Sequence, residues 1–502
     1  MNTALTKLKT QLAKIEDLKH VSALLMWDQA TYLPQGGSEA RARQISLVAG
    51  LLQQKQTSHE LGKLIDDVTP LISQLAPEAS DAALIRVARE DFDRETRLPA
   101  TFTQRLYSHL SRSYDLWVKA RPKGDFKAVQ ASLAHTLELS REYSEFFPGY
   151  VHPADPHIDL NDPGMTVAQI QPLFAALRTE LVPLAQAIAK KPKPKSGFLN
   201  KKYPEAEQLA FGLQVAQDIG YDLTRGRQDK THHPFMIKFS LGDVRITTRV
   251  NPNDLGDAFF STIHEAGHAL YEQGLDPTFE GSPLGHGVSA GIHESQSRLW
   301  ENLVARSKPF WKHYLPKLKK RFPAQLKGIS LDDFYRAINR VQPSLIRVDA
   351  DEVTYNLHVM LRFDLELQML TGKLAIKDLP DAWNERYKQD LGIAPPSARD
   401  GVMQDMHWFT GMIGGVFQGY TLGNIYSAQC FAAALKTHPK IPEQIAKGQF
   451  ETLRKWLGKN IHQYGRRLTP QDIIQKSTGK PLSITDYMNY LRKKYRAIYA
   501  LV

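Results

Sequence analysis

Three residues of one helical turn, His264, Glu265 and His268, have the types and spacing that metal-assisted hydrolysis needs. Two histidines four positions apart leave a helix on the same face, so both imidazoles reach a single ion. The glutamate between them stays off the metal in such patterns. It takes the proton of the attacking water, whose pKa zinc lowers to about 7 while polarising the carbonyl under attack. A catalytic zinc also wants a third protein ligand and one open position. Extending the pattern along the same helix would require glycine and histidine at 271 and 274, where Tyr271 and Gly274 stand. Glu294, in the following helical segment, is the expected third ligand. On that segment's wheel Ile292, Leu299 and Leu303 form the apolar stripe, and Glu294, Arg298 and Glu301 face the other way. The plainer alternative is an i,i+4 pair of Glu294 with Arg298, worth a few tenths of a kcal/mol. His293 and His286 compete as donors, and a pair of histidines with one glutamate is the common set in zinc hydrolases. The expected cofactor is therefore Zn2+, although Co2+ suits the same ligands.

The elements around these residues read clearly. Asn253 to Gly274 is expected to be a helix, with Asn253 as N-cap, Asp254 and Asp257 in the first turn and Gly274 at the stop. Phe259, Ile263, Ala266 and Leu270 share one face as its buried stripe, which turns His264 and His268 toward a cleft. Just before it, Met236, Ile237 and Phe239, a turn at Leu241-Gly242-Asp243 and the alternating run Val244 to Val250 predict a β-hairpin. Elsewhere apolar residues recur every three or four positions, so the fold class is mainly α. The chain is read as one peptidase body over residues 1–502, with soft internal boundaries near 148–163 and 190–202.

Composition sets the surroundings. A length of 502 residues with 42% apolar content supports a large core. Cys430 is the single cysteine, which rules out an internal disulfide and suits a reducing, cytoplasmic home. Met1 to Leu25 lacks the apolar run of a signal peptide, and no apolar run is long enough to span a membrane. The net charge of +11 includes Lys190, Lys191, Lys193, Lys195, Lys201 and Lys202 around Pro192 and Pro194. That segment reads as a solvated basic loop. No stacking platform or recognition motif accompanies it, so no nucleic-acid partner is expected.

Beyond His264-Glu265-Ala266-Gly267-His268, five further motifs occur in order: His233-Pro234-Phe235; Asp243, Arg245 and Thr247; His293-Glu294-Ser295-Gln296; Ile346-Arg347 with Ala350-Asp351; and Gly401, Gln404, Asp405, His407 and Trp408. Together with Trp27-Asp28-Gln29 and Pro34, they resemble the carboxypeptidase Taq family of metallocarboxypeptidases over most of the chain. The resemblance implies an almost wholly helical homodimer with a small sheet beside a long substrate groove. It implies removal of single residues from peptide C-termini with broad tolerance, His264, His268 and Glu294 holding the metal and Glu265 acting as general base. Such a reaction must recognise a terminal carboxylate, for which a planar guanidinium fork is best suited. Arg347 is the expected anchor, against a structural ion pair with Asp349, Asp351 or Glu352, and Arg245 is the runner-up. The strand Val244 to Val250 is a candidate rail for the substrate backbone. Tyr420, followed by Tyr426 in a glycine-rich stretch, is assigned to the oxyanion. His407 and His233 are expected at the substrate or the metal's supporting shell. An endo-oligopeptidase with the same centre is the alternative, and a helical scaffold with a vestigial site is the reading from another class.

Overall fold

Segments rich in Leu, Ala, Glu and Lys with three- and four-residue apolar periodicity become helices in the computed structural model, which describes residues 3–76 and 78–501. Five of them matter for the site: α1 (Thr3–Thr31), α2 (Leu255–Gln273), α3 (Ala290–Arg298), α4 (Tyr355–Leu370) and α5 (Phe417–Thr437). The expected mainly α class with a small sheet beside the metal helix is what the structure has. Among the described residues no helix is long and apolar enough to cross a membrane.

The sheet has three strands, β1 (Gln228–Lys230), β2 (Met236–Ser240) and β3 (Asp243–Thr248), in the order β1-β3-β2. β2 and β3 form the expected antiparallel hairpin, with Met236 opposite Ile246. The short β1 adds in parallel on the far side of β3. β3 is thus hydrogen-bonded on both sides, and its backbone is closed to an added peptide. The proposed rail at 244–250 is corrected accordingly: the edge strands are β1 and β2. Three-residue β1 carries almost no hydrophobic alternation, and so it left no sequence signal.

Aromatic packing holds α2 in place. Phe259 lies among Phe211, Phe260, Phe310 and Trp311 with ring centroids 5.2–6.2 Å apart. Truncating such a side chain to alanine costs roughly 3–5 kcal/mol. The whole predicted stripe, Phe259, Ile263, Ala266 and Leu270, is buried. The N-cap differs by one residue from expectation. Asp254 accepts from the Gly256 N–H, whereas the Asn253 N–H is engaged by Asn251 Oδ1 in the preceding turn. Ala154 and Ile158, and Phe198 of the basic loop, belong to the same large core as α2. α1 instead packs in a separate small core with Leu61, Ile65, Phe279 and Leu284.

Two glycines set the distances between α2, α3 and α5. A Cβ on Gly267 would lie 2.6 Å from Ser297 Cα, and one on Gly423 would lie 2.6 Å from Glu294 Cβ. Only a residue without a side chain lets these backbones approach so closely. At its C-terminal end α3 widens into a π-helical turn, Leu299–Ala305, of the kind often found at functional sites.

Candidate metal centre

α2 presents His264 and His268 from one face, and α3, held close by Gly267 and Gly423, delivers Glu294 between them. Glu294 Oε2 stands 3.5 Å from His264 Nε2 and 3.3 Å from His268 Nε2. Zinc bonds of 2.0–2.1 Å arranged tetrahedrally separate neighbouring donors by about 3.3–3.4 Å, so this spacing fits one divalent ion. The donor chemistry fits as well.

The outer hydrogen bonds assign the tautomers. His264 Nδ1 lies 2.9 Å from Glu301 Oε2, an acceptor, so Nδ1 carries the proton and Nε2 is left with its lone pair. His268 Nδ1 lies 2.6 Å from His293 Nδ1, and His293 Nε2 lies 2.9 Å from Glu272 Oε1. Glu272 is kept charged: burial opposes it, but Lys238 and His293 hold its pKa below the usual carboxylate range. His293 Nε2 therefore donates to Glu272, its Nδ1 accepts from His268 Nδ1–H, and His268 Nε2 is free to ligate. Burial drives the pKa of His268 down to about 4, which favours the neutral ring that ligation needs.

Glu294 uses its two oxygens differently. Arg298 Nε donates to Oε1 at 2.7 Å, while Oε2 faces the imidazoles and takes the Ser297 hydroxyl at 3.0 Å. Burial alone would neutralise Glu294, yet Arg298 and the two histidines keep its pKa well below the ordinary value. Glu265 is also buried. Burial lifts its pKa to about 7 against the pull of His264, and the Met236 N–H of edge strand β2 reaches its carboxylate.

A second group of expected residues gathers around Arg347. This arginine is buried, with Asp405 rather than Asp349, Asp351 or Glu352 as its partner: Nε and Nη2 lie 3.2 and 2.9 Å from Asp405 Oδ1. Nη1 donates to the Tyr355 hydroxyl at 3.0 Å. The Arg347 guanidinium is 5.1 Å from the Tyr420 ring, and Tyr420 Oη lies 3.2 Å from His407 Nε2. Burial pushes the Tyr420 phenol up and takes His407 down to about 4. His233, also lowered by burial, feels the Arg347 charge. Arg298 joins the two groups, since its guanidinium bonds Glu294 and lies 4.5 Å over the Tyr355 ring.

Arg245 is engaged elsewhere. Asp243 takes its Nε and Nη2, and Trp27 and Phe239 cover it at 4.4 and 4.7 Å. Tyr426 is fully buried in the core beside Gly291. His293 supports His268 instead of joining the donors, and His286 bonds Glu16 on α1. Glu301, Glu272, Lys238 and Tyr355 had no assigned role in the sequence reading. The wheel position of Glu301 beside Glu294 was the one signal available for them.

The profile of the Carboxypeptidase Taq (M32) metallopeptidase family matches residues 7–495. Thermostable carboxypeptidase 1 of Thermus thermophilus is 41% identical over 495 residues, covering 96% of each chain. Carboxypeptidase 1 of Bacillus subtilis is 37% identical over 98% of this chain and 97% of that protein. The crystal structure of an M32 carboxypeptidase from Deinococcus radiodurans R1 superposes with a TM-score of 0.97 at 49% identity, covering all of both chains.

Proposed function

The chain belongs to the Carboxypeptidase Taq (M32) metallopeptidase family and is a metallocarboxypeptidase, and on that premise we propose that His264, His268 and Glu294 hold Zn2+ and that Glu265 is the general base. The observation carrying this is one carboxylate oxygen standing 3.3 and 3.5 Å from two imidazole nitrogens whose other nitrogens are already spoken for. When bound, the cation supplies Lewis acidity toward water and the scissile carbonyl. Glu265 then takes the proton of the attacking water and returns it to the leaving amine. Tyr420 donates its hydroxyl to the developing oxyanion. Arg347 binds the substrate's terminal carboxylate. Asp405 occupies its Nε/Nη2 side and Tyr355 takes one Nη1 proton, which leaves one N–H each on Nη1 and Nη2 for the carboxylate. His407 and His233 line the same anion-binding end. Arg245 has the weaker claim to substrate, because Asp243 and two aromatic rings already engage it.

The expected specificity is broad, with Co2+ replacing Zn2+ in the same ligands. We place the enzyme in the cytoplasm as a homodimer of single-body subunits, a reading supported by the lone, buried Cys430 and by the family resemblance. Mass spectrometry of one peptide after timed digestion tests the direction of cleavage. A ladder of C-terminal truncations is expected, and it should vanish when the substrate C-terminus is amidated. Internal cuts that ignore amidation would return the endo-oligopeptidase.

A further inference from the structure

A buried lysine outside the catalytic cluster joins two parts of the molecule that share no core. Lys238, on edge strand β2, bonds Glu272 Oε2 at 2.7 Å, and both side chains are more than nine-tenths buried. Its ammonium also donates to the Gly285 carbonyl and lies 3.3 Å from His286 Nδ1. With Nδ1 accepting, His286 donates Nε2–H to Glu16 Oε2 of α1 at 2.5 Å, and Glu16 Oε1 takes Lys19 at 2.9 Å. In the other direction Glu272 accepts from His293, which accepts from His268. The donors and acceptors alternate without a break from His268 to Glu16.

We propose that Lys238 is a positioning residue that couples the seating of α1 to the orientation of His268 through this chain. The proposal rests on His268 being a metal ligand. Outer partners of a ligating histidine fix its ring and raise its basicity, and losing one weakens metal binding 10- to 100-fold. Here the outer partner of His268 is His293, which is held by Glu272; the second oxygen of Glu272 is bonded by Lys238, whose remaining donors go to the Gly285 carbonyl and to His286, the partner of Glu16 on α1. The core of α1 includes Phe279 and Leu284, next to that segment, and is separate from the core of α2. Lys238 is thus a buried polar link between these two packing units, and a change at Glu16 reaches the metal ligand as a change in hydrogen bonding.

The test is zinc affinity by chelator competition, with the absorption spectrum of the cobalt-loaded full-length protein as a geometric readout. Removing Lys238 alone strands a buried carboxylate and threatens folding, so the Lys238→Met/Glu272→Gln double variant is measured with it. Both are expected to bind zinc about 10-fold more weakly, the low end of the range for a direct outer partner because His293 stands between, with an altered cobalt spectrum. Glu16→Gln, at the far end, should weaken binding less but in the same direction, and it strands no buried charge because Lys19 reaches solvent. Tyr32→Phe, which removes a bond to Asp229 at the end of α1, outside this hydrogen-bond chain, and leaves Glu16 seated on His286, should bind zinc like the parent. Parent-like affinity and spectrum in Glu16→Gln and the double variant overturn the proposal, as does an equal loss in Tyr32→Phe. Zinc binding that survives His268→Ala would instead remove the ligand assignment itself.

Discussion

Among the described residues lie two clusters of two histidines and one glutamate, His264/His268/Glu294 and Glu16/His20/His286. Their compositions are the same and their chemistry differs. In the first, donors sit at 3.3 and 3.5 Å, each imidazole is backed by an acceptor, and the carboxylate is held by Arg298. In the second, His286 has closed to 2.5 Å on Glu16, and Lys19 and Lys238 occupy the remaining oxygen and nitrogen. A cation entering there would have to displace a proton beside two ammonium groups. Spacing near a tetrahedral edge and acceptors behind the rings make a cage; a shared proton and flanking lysines make a strap. Residue type alone separates neither.

Removing the carboxylate from each cluster should break or keep that contrast most visibly. Glu294→Ala should weaken zinc binding by more than the roughly 100-fold that an outer-shell loss causes, with activity lost in parallel. Glu16→Ala should leave one zinc per chain in a metal titration. Loss of a second equivalent there would turn the strap into a cage.

Beside the first cluster, Glu265→Gln should retain the metal while turnover falls about 10²- to 10⁴-fold, the usual contribution of a general base. Metal content and kcat measured on one sample decide it, and near-parental turnover would remove Glu265 from the mechanism. Arg347→Met should lower kcat/KM on free-acid peptides roughly 10- to 150-fold, as expected for a hydrogen bond to a charged group. Zinc affinity should hold, and the preference for free acids over amides should disappear. An intact preference would move the anchor to another residue.

A buried imidazole outside both clusters has the smallest expected effect. Burial takes His157 down to about 4 in the folded chain, against an ordinary value of 6.5. The unfolded chain therefore binds the extra proton between pH 6.5 and 4, and stability falls as pH falls through that window, by about 3 kcal/mol from this residue. His157→Gln should flatten the pH dependence of the melting temperature of the metal-free protein, a change of about 3 °C for a chain of this size. An unchanged slope would mean that His157 titrates alike folded and unfolded.

Much of the site was open to a reader of the sequence. The helix from 255 to 273, its buried stripe, the hairpin before it and the opposition of Glu294 to Ile292 all follow from local periodicity, which backbone geometry fixes within a turn or two. The cap at Asp254 was missed because a competing Asn251 turn is a local choice between near-equal hydrogen bonds. β1 was missed because three residues carry no period. The partner of Arg347 was missed for another reason: three nearby carboxylates in sequence were passed over for Asp405, which lies far along the chain but close in space.

Residue order alone puts His264 and His268 on one helical face with Glu265 beside them, since spacing within a turn is set by the helix. It determined the helical class for the same reason. Contacts between remote segments decide that β3 is an interior strand, that Glu301 and His293 stand behind the two imidazoles, and that Lys238 lies between them and α1. Those outcomes depend on ångström-scale distances between residues remote in the chain. Close packing at Gly267 and Gly423 sets the distances around Glu294, and no local periodicity records them.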